Sequence, residues 1–320
     1  MSTTVFVTRE LAAPGVAPLF EAGCAVRQHP SADVAPTRAE LLAGAAGCDA
    51  LITLLTDRVD AEVMDCAPHL RIVANYAVGY DNVDLDAARE RNIVVTNTPD
   101  VLTDATADMT WALLLAAARH VGAGERLVRT GAWAGWSPTQ LLGPGFPGKT
   151  LGIFGMGKIG AAVARRARGF DMRVVYTNRS ANSELESALG AQQVSFDDLL
   201  TQSDFIAINA PLNAQSRHRF DAAAFARMKP TAVLVNAGRG PIVDEAALAV
   251  ALQTGQIAAA GLDVYEREPA IEAGLFECEN AVLVPHLGSA TVEARAGMAE
   301  LCCQNVLAVV GGLAPLTPVS

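Results

Sequence analysis

The amino-acid sequence predicts an α/β fold made of two doubly wound, parallel-sheet domains. The length of 320 residues suggests about two domains. Short apolar runs alternate with helical stretches along the whole chain, which is typical of parallel strands covered by helices on both faces. A segment rich in glycine and proline, Gly131–Gly148, reads as a loop and divides this alternation into two series.

The first series contains five predicted strands, which are Thr4–Thr8, Ala25–Gln28, Ala50–Leu55, Arg71–Asn75 and Ile93–Thr96. Helical segments lie between them, among them Thr37–Ala46 and Leu85–Arg91. A longer helix is predicted from about Asp100 to His120. Its apolar residues recur at the spacing of one helix face, at Met109, Ala112, Leu113 and Ala116.

The second series follows the loop and contains six predicted strands. These are Thr150–Phe154, Arg173–Thr177, Phe205–Asn209, Ala232–Asn236, Ala259–Val264 and Ala281–Val284. A final long helix is predicted over about Thr291–Val310. Strand and helix again alternate, so the second series repeats the architecture of the first.

Composition excludes several classes of protein. The 24 basic and 34 acidic residues give a net charge of −10, which argues against a nucleic-acid partner. A hydrophobic content of 51% with 18% charged residues excludes disorder and coiled coil. Neither a signal peptide nor a membrane-spanning run is recognisable. The six cysteines lack metal-binding spacing, so we expect reduced thiols, no metal site and a cytoplasmic protein.

The second series opens with a glycine pattern that binds dinucleotides. Leu151–Gly160 reads as a strand that enters G-x-G-x-x-G and then a helix, Ile159–Arg168. The first glycine allows a tight turn, the second lets a pyrophosphate approach, and the third lets helix and strand pack closely. The helix N-terminus attracts the phosphates. The residues predicted to contact the cofactor here are Gly155, Met156, Gly157, Lys158, Ile159 and Gly160.

The segment after the next strand bears on the choice of cofactor. An acidic residue usually stands there in NAD sites and accepts a hydrogen bond from the ribose 2′-hydroxyl. This chain has Asn178, Arg179 and Ser180 instead. Because arginine pairs with a 2′-phosphate and serine can donate to it, the segment favours NADP(H) and leaves NAD(H) as the alternative.

Three segments at predicted strand ends of the second series carry ionisable groups. They are Asn236–Gly240, Gly261–Pro269 and Pro285–Thr291, which contribute an arginine, a glutamate and a histidine. Reduction of a 2-oxo acid needs such groups, because the arginine binds the carboxylate, the histidine delivers a proton, and the glutamate orients the histidine and keeps it charged. From the residues alone, Glu266 and Glu268 compete for the role of the carboxylate.

Together these motifs resemble the D-isomer-specific 2-hydroxyacid dehydrogenases, specifically the glyoxylate/hydroxypyruvate reductase branch. The resemblance spans essentially the whole chain, including Ala74–Asp84 (ANYAVGYDNVD) and Thr98–Asp108 (TPDVLTDATAD). It implies that Arg239 binds the substrate, that Glu268 is the partner of the histidine, and that His286 is the acid/base. Two related activities fit less well, since phosphite dehydrogenases have lysine where this chain has Val78, and formate dehydrogenases have glutamine where it has Glu268.

The resemblance assigns further contacts. Asp263 resembles the residue that contacts the nicotinamide carboxamide, and the Val78–Gly79 turn, with Leu54 nearby, resembles the backbone that holds the substrate carboxylate. Trp136 is implied to reach the active site of a neighbouring subunit, so a homodimer is expected. Besides the glycine turn and residues 178–180, the expected cofactor contacts are Pro211, Ala237, Gly238, Arg239, Asp263, His286 and Gly288. The expected substrate contacts are Leu54, Val78, Gly79, Trp136, Arg239 and His286.

The domain arrangement that the resemblance implies is nested. Residues 1–99 and 288–320 are expected to form the substrate domain, and residues 100–287 the inserted nucleotide domain, with the catalytic cleft between them. The expected function is NADPH-preferring reduction of glyoxylate or hydroxypyruvate. The alternatives are reduction of another 2-oxo acid such as 2-ketogluconate, and a non-catalytic, dinucleotide-sensing protein of the corepressor type.

Overall fold

A computed structural model describes residues 2–319 of the chain. The strands are β1 Thr4–Val7, β2 Ala25–Gln28, β3 Ala50–Thr53, β4 Ile72–Asn75, β5 Val94–Thr96, β6 Thr150–Phe154, β7 Arg173–Thr177, β8 Gln192–Gln193, β9 Phe205–Ile208, β10 Val233–Asn236, β11 Ala259–Leu262 and β12 Ala281–Leu283. The α-helices are α1 Ala17–Glu21, α2 Arg38–Ala45, α3 Ala61–Asp65, α4 Leu85–Glu90, α5 Thr103–Ala118, α6 Val121–Arg129, α7 Lys158–Ala167, α8 Ser183–Leu189, α9 Phe196–Gln202, α10 Ala222–Phe225, α11 Glu245–Gln253, α12 Ala273–Phe276 and α13 Val292–Val310.

The chain divides into two compact units. Met1–Leu102 and Ala290–Ser320 form the first, and Thr103–Ser289 form the second. The divisions therefore fall three residues after the first predicted domain boundary and two residues after the second. The C-terminal segment supplies α13, which packs on β4 within the first unit.

The first unit contains a five-stranded, wholly parallel sheet in the order β2-β1-β3-β4-β5, the order of flavodoxin-like folds. Every residue of β3 and β4 is buried, as expected for central strands with helices on both faces. The second unit contains a seven-stranded parallel sheet in the order β12-β11-β10-β9-β6-β7-β8. Its strands from β6 onward follow the Rossmann order, with the reversal of strand order between β6 and β9. The predicted fold class is thus confirmed.

The predicted helix from Asp100 to His120 was wrong at both ends. Asp100 and His120 lie in the left-handed region, with φ of 70° and 52°, so α5 covers only Thr103–Ala118 and a separate helix, α6, follows. The buried face of α5 also differs from the face predicted by apolar spacing, because Ala112 is exposed whereas Thr106, Thr110 and Trp111 are buried. These polar groups are tolerated inside because Thr110 donates to the Thr106 carbonyl at 2.8 Å and Trp111 donates to the Val163 carbonyl at 3.0 Å.

The second unit packs an aromatic cluster beside its sheet. The Trp111 ring stacks on Phe170 with ring centroids 4.4 Å apart, and Phe146 stacks on Phe205 at 4.5 Å. Phe146 also contacts Trp111, with ring centroids 6.1 Å apart, so the cluster links α5 to β9. Among the described residues, no helix is both long and apolar enough to span a membrane.

Candidate active site

The glycine turn lies at the point where strand order reverses in the second sheet. Gly155 follows β6 with a φ of 98°, and a Cβ there would lie 2.5 Å from the backbone nitrogen of Ala210, which follows β9. A Cβ on Gly160 would overlap the Gly155 carbonyl. Both residues must therefore be glycine for the turn to close against its own neighbours.

Gly157 differs from the other two glycines of the turn. Its φ is −81°, and, apart from its chain neighbours, no heavy atom among the described residues lies within 4 Å of a Cβ built there. It is the N-cap of α7 and makes no side-chain cap, so the first turn of that helix presents its backbone N–H groups. An open cradle at a helix N-terminus fits a pyrophosphate. Met156 beside it is buried, Lys158 is exposed and Ile159 is half-buried.

The segment predicted to bind a 2′-phosphate follows β7, the strand next to β6. Arg179 and Ser180 are exposed, and the Asn178 carbonyl accepts a hydrogen bond from the Gln193 amide at 2.9 Å. Asn182 caps α8 by accepting from the Leu185 N–H at 3.1 Å. The residues from 178 to 182 include no carboxylate, so their chemistry fits a phosphate.

The histidine and glutamate proposed from the sequence meet directly. His286 Nδ1 and Glu268 Oε2 are 2.9 Å apart, and the other carboxylate oxygen of Glu268 accepts the Tyr265 N–H at 3.0 Å. Burial disfavours ionised Glu268, but the hydrogen bond and charge of His286 outweigh it, so the pKa of Glu268 lies below its usual value. Glu266 instead contacts His218 Nε2 at 2.9 Å. The structure therefore decides which of the two carboxylates pairs with His286.

The backbone of His286 is held in an uncommon conformation. Its φ is 54°, and its N–H donates to the Asp263 carbonyl at 2.9 Å. The Asp263 side chain, which is 1% exposed, accepts from the N–H groups of Leu287 at 2.5 Å and Gly288 at 2.8 Å. Burial raises the pKa of Asp263, while the Leu287 N–H, the His286 charge and the Gly288 N–H act in the opposite direction. Asp263 thus fixes the segment that presents the His286 ring.

Arg239 projects from the turn that follows β10. The Asn236 side chain braces this turn, since its amide donates to the Arg239 carbonyl at 2.9 Å and its oxygen accepts from the Gly238 N–H at 3.1 Å. The Arg239 guanidinium donates to the Gly238 carbonyl at 3.0 Å and helps to lower the pKa of Glu268. Strands β10, β11 and β12 are consecutive neighbours, so register brings the segments carrying Arg239, Glu268 and His286 to the same edge of the sheet.

The remaining predicted cofactor contacts follow strands of the same sheet. Ala237 and Gly238 come after β10, and a Cβ on Gly238 would lie 3.0 Å from the Ala210 carbonyl oxygen. Pro211 lies just after β9 and is exposed. Its carbonyl accepts a hydrogen bond from the Ser216 hydroxyl at 2.8 Å. Trp136 lies in the exposed segment after α6 and is 83% exposed.

The predicted substrate contacts Leu54, Val78 and Gly79 belong to the first unit. Asn75 and Asn82 link the turns that carry these residues. The sequence had given neither asparagine a functional role. Asn82 donates to the Leu54 carbonyl at 3.0 Å, Asn75 donates to the Gly79 carbonyl at 2.8 Å, and the two side chains hydrogen-bond to each other. Asn97 also donates to the Val78 carbonyl at 2.8 Å. The sequence could have indicated both asparagines by their position, because Asn75 ends a buried strand and Asn82 follows it within the Ala74–Asp84 motif.

Comparison with known proteins places the chain in a family. The sequence pattern of "D-isomer specific 2-hydroxyacid dehydrogenase, NAD binding domain" matches residues 111–288. A glyoxylate reductase of Thermococcus kodakarensis is 48% identical over 100% of this chain and 97% of its own length. The chain belongs to the D-isomer-specific 2-hydroxyacid dehydrogenases. Its nucleotide-binding part is therefore a nicotinamide-dinucleotide domain, as the glycine turn predicts.

Two solved structures are similar to this chain over nearly its whole length. The TT0316 protein of Thermus thermophilus superposes with a TM-score of 0.93 at 43% identity, covering 99% of this chain and 100% of the other. A glyoxylate/hydroxypyruvate reductase of Sinorhizobium meliloti, described as NADPH-dependent and solved with NADP and malonate, gives a TM-score of 0.87 at 35% identity, covering 100% and 97%. Membership of this dehydrogenase family thus rests on both sequence and fold.

Proposed function

We propose that the chain is an NADPH-preferring reductase of small 2-oxo acids, converting glyoxylate to glycolate and hydroxypyruvate to D-glycerate. The observation that carries the proposal is the 2.9 Å contact between His286 and Glu268, on segments adjoining the one that bears Arg239. The glyoxylate reductase of T. kodakarensis, similar over its whole length, supports the substrate class. The NADPH-dependent enzyme of S. meliloti supports the cofactor.

In the proposed reaction Arg239 binds the substrate carboxylate and polarises the carbonyl group. His286 Nδ1 is engaged by Glu268, so Nε2 is the nitrogen that donates a proton to the carbonyl oxygen. Glu268 orients the ring and stabilises its charged form. The glycine turn at Gly157 would hold NADPH, which would supply the hydride for the carbonyl carbon. The proton from His286 and the hydride together account for the 2-hydroxy acid product.

The preference for NADPH rests on the segment after β7. Arg179 is exposed and can pair with a 2′-phosphate, and Ser180 beside it can donate a hydrogen bond. A carboxylate at this place would accept from a ribose hydroxyl and repel a phosphate. In the first unit, we assign the backbone of Val78 and Gly79, with Leu54, to the substrate carboxylate; the Asn75–Asn82 bridge supports this by fixing both turns.

The proposal is tested by measuring NADPH and NADH oxidation with a panel of 2-oxo acids that includes glyoxylate, hydroxypyruvate and 2-ketogluconate. We expect the highest kcat/KM for glyoxylate or hydroxypyruvate with NADPH. A strong preference for NADH would contradict the role of Arg179, and a preference for 2-ketogluconate would contradict the substrate class. No oxidation with any acid would favour a dinucleotide-sensing protein.

The His286→Ala variant completes this test. Loss of a general acid typically lowers turnover by about 10²–10⁴-fold, so kcat should fall by about that factor. Binding of NADPH, followed by its fluorescence, should persist because the glycine turn is untouched. Turnover near that of the unmodified enzyme would show that another group donates the proton.

A further inference from the structure

The buried carboxylate of Glu245 is not used by the reaction proposed above. Glu245 is the first residue of α11 and is 4% exposed. The N-cap of that helix is Asp244, which accepts from the Ala247 N–H at 2.9 Å, so Glu245 is not needed as its cap. Burial of an ionisable side chain is costly unless its oxygens accept hydrogen bonds. The partners of Glu245 therefore indicate what the residue does.

Those partners lie at both ends of the segment that carries Glu268. One oxygen of Glu245 accepts the N–H of Glu266, and the other accepts the N–H of Glu272 at 3.1 Å. In return, the Glu245 N–H donates to the Glu266 carboxylate at 2.9 Å. Glu268 stands between these two attachment points, so the ends of its segment are fixed to the start of α11.

The same segment also packs against the turn that carries Arg239. A Cβ on Gly240, the residue after Arg239, would overlap the backbone of Tyr265. Tyr265 in turn donates its N–H to Glu268. The stretch from Gly240 to Glu245 therefore touches the Glu268 segment twice, first by close backbone packing and then through the Glu245 carboxylate.

A third attachment comes from the loop before α10. His218 Nε2 lies 2.9 Å from Glu266 Oε2, the carboxylate oxygen that does not bond Glu245. The backbone N–H of His218 donates to the Pro241 carbonyl at 2.8 Å. His218 thus bridges the turn after Arg239 and the Glu268 segment. The charged groups facing Glu245 are Glu266 and Arg267. Those facing Glu268 are His286, Asp263 and Arg239.

We infer that Glu245 is a positioning residue, which holds the Glu268 segment in register with the Arg239 turn and thereby keeps Glu268 on His286. The inference rests on the proposed function for the roles of those three residues. Loss of the carboxylate releases one or both ends of the segment. Glu268 then moves relative to the ring, and a displacement of about 1 Å at a reacting group can cost about 10²-fold in rate.

The test is the Glu245→Gln variant, which keeps the side-chain volume but replaces one accepting oxygen by a donor. We expect kcat for glyoxylate to fall about 10- to 100-fold, with KM for NADPH unchanged. The pH above which the rate declines should also move lower, because Glu268 then stabilises the charged ring less well. The matched control is Glu277→Gln, which removes the same charge from an exposed position after α12 and should behave like the unmodified enzyme.

A second variant covers the case in which Glu245→Gln does not fold. Glu266→Ala removes only the acceptor of the Glu245 N–H and the partner of His218, and it should change kcat and the pH profile in the same direction by a smaller factor. If the two substitutions leave kcat and the pH profile as in the control, or change only KM for NADPH, Glu245 has no positioning role.

A readout that needs no turnover separates this inference from the proposed function. The ring signals of the five histidines are recorded by ¹⁵N NMR, with His286 assigned from the His286→Ala spectrum. In Glu245→Gln the Nδ1 signal of His286, which reports the contact with Glu268, should move relative to the Glu277→Gln control. A shifted signal in an enzyme that is inactive on every 2-oxo acid would overturn the proposed function alone. Identical His286 signals in the two variants would overturn the inference alone.

Discussion

The side chain of a single residue, Glu268, connects the backbone of its own loop to the His286 ring. One of its oxygens accepts the Tyr265 N–H and the other bonds His286 Nδ1. The sequence placed Glu266 and Glu268 in one irregular loop and could not choose between them by spacing. In the folded chain Glu268 reaches His286 and Glu266 reaches His218. Hydrogen bonds between residues distant in the sequence therefore decide which carboxylate pairs with His286.

The Glu268→Gln variant tests this pairing through the pH dependence of activity. Glutamine keeps an acceptor for the ring but removes the negative charge that favours the charged form of His286. The alkaline limb of the kcat/KM profile for glyoxylate reduction should therefore shift to lower pH. An unchanged profile would show that Glu268 does not govern the ionisation of the acid.

The same variant changes stability in a predictable direction. The pKa of Glu268 is lower in the folded chain than its usual value, so its ionised form stabilises the fold above the usual pKa. That stabilisation is lost as the pH falls through the lowered pKa. Melting temperatures recorded from about pH 7 to pH 3 should therefore decline less steeply for Glu268→Gln than for the unmodified chain.

At the scale of elements, most strand positions follow from sequence pattern, whereas helix ends do not. Strands β6 and β7 have the predicted bounds, because buried parallel strands form continuous apolar runs. The helix predicted from Asp100 to His120 is shortened because both end residues adopt positive φ, which periodicity does not report. Its buried threonines were also missed, since their inward position depends on local hydrogen bonds.

A substitution in the glycine turn should change NADPH affinity without changing the stability of the fold. Gly157→Ala introduces a Cβ into space that is open within the described chain, so the melting temperature should change by no more than about 2 °C. If the cradle receives a pyrophosphate, NADPH affinity should fall about tenfold or more, roughly 1.4 kcal/mol. Fluorescence titration and thermal unfolding measure the two effects.

The matched variant at this turn is Gly160→Ala. Its Cβ would overlap the Gly155 carbonyl, so the turn itself must deform and stability should fall by about 1–3 kcal/mol. Equal NADPH affinity in Gly157→Ala and the unmodified chain would mean that the phosphates do not approach this glycine.

At the scale of the whole molecule, the two units each contain one complete parallel sheet, and the second unit exposes an apolar segment. Within residues 121–142 the large exposed apolar side chains are Val121, Val128, Trp133, Trp136, Leu141 and Leu142. Large exposed apolar side chains concentrated in one segment are typical of interaction surfaces. The homodimer expected from the family resemblance, in which Trp136 reaches the neighbouring active site, would cover this segment.

The dimer is tested by analytical ultracentrifugation. The unmodified chain should sediment at about twice its 33.3 kDa mass, and Val128→Glu should shift it toward the monomer. The matched control is Val250→Glu on α11, an exposed valine of the same unit outside this segment, which should leave the dimer intact. A monomeric unmodified chain, or equal dissociation by both substitutions, would contradict the assignment.

The net charge of −10 describes the molecule and not its ligands. The ligands proposed here are anions, and a few local features are assigned to them, namely the exposed Arg179, the N-terminus of α7 and Arg239. Overall charge governs solubility and long-range association, whereas recognition depends on where individual cations are held.

By itself the sequence determined the alternation of strands and helices, the glycine turn, and the presence of an arginine, a glutamate and a histidine after successive strands. Each of these features depends on residues that are close together in the sequence, so hydrophobic periodicity and short motifs are enough to predict them. Only the tertiary structure shows Glu268 in contact with His286, as the family resemblance implies, and shows Glu245 accepting hydrogen bonds from both ends of the Glu266–Glu272 segment that carries Glu268. The physical reason is that side-chain directions in irregular loops are set by hydrogen bonds to residues distant in the chain, and these leave no periodic signal.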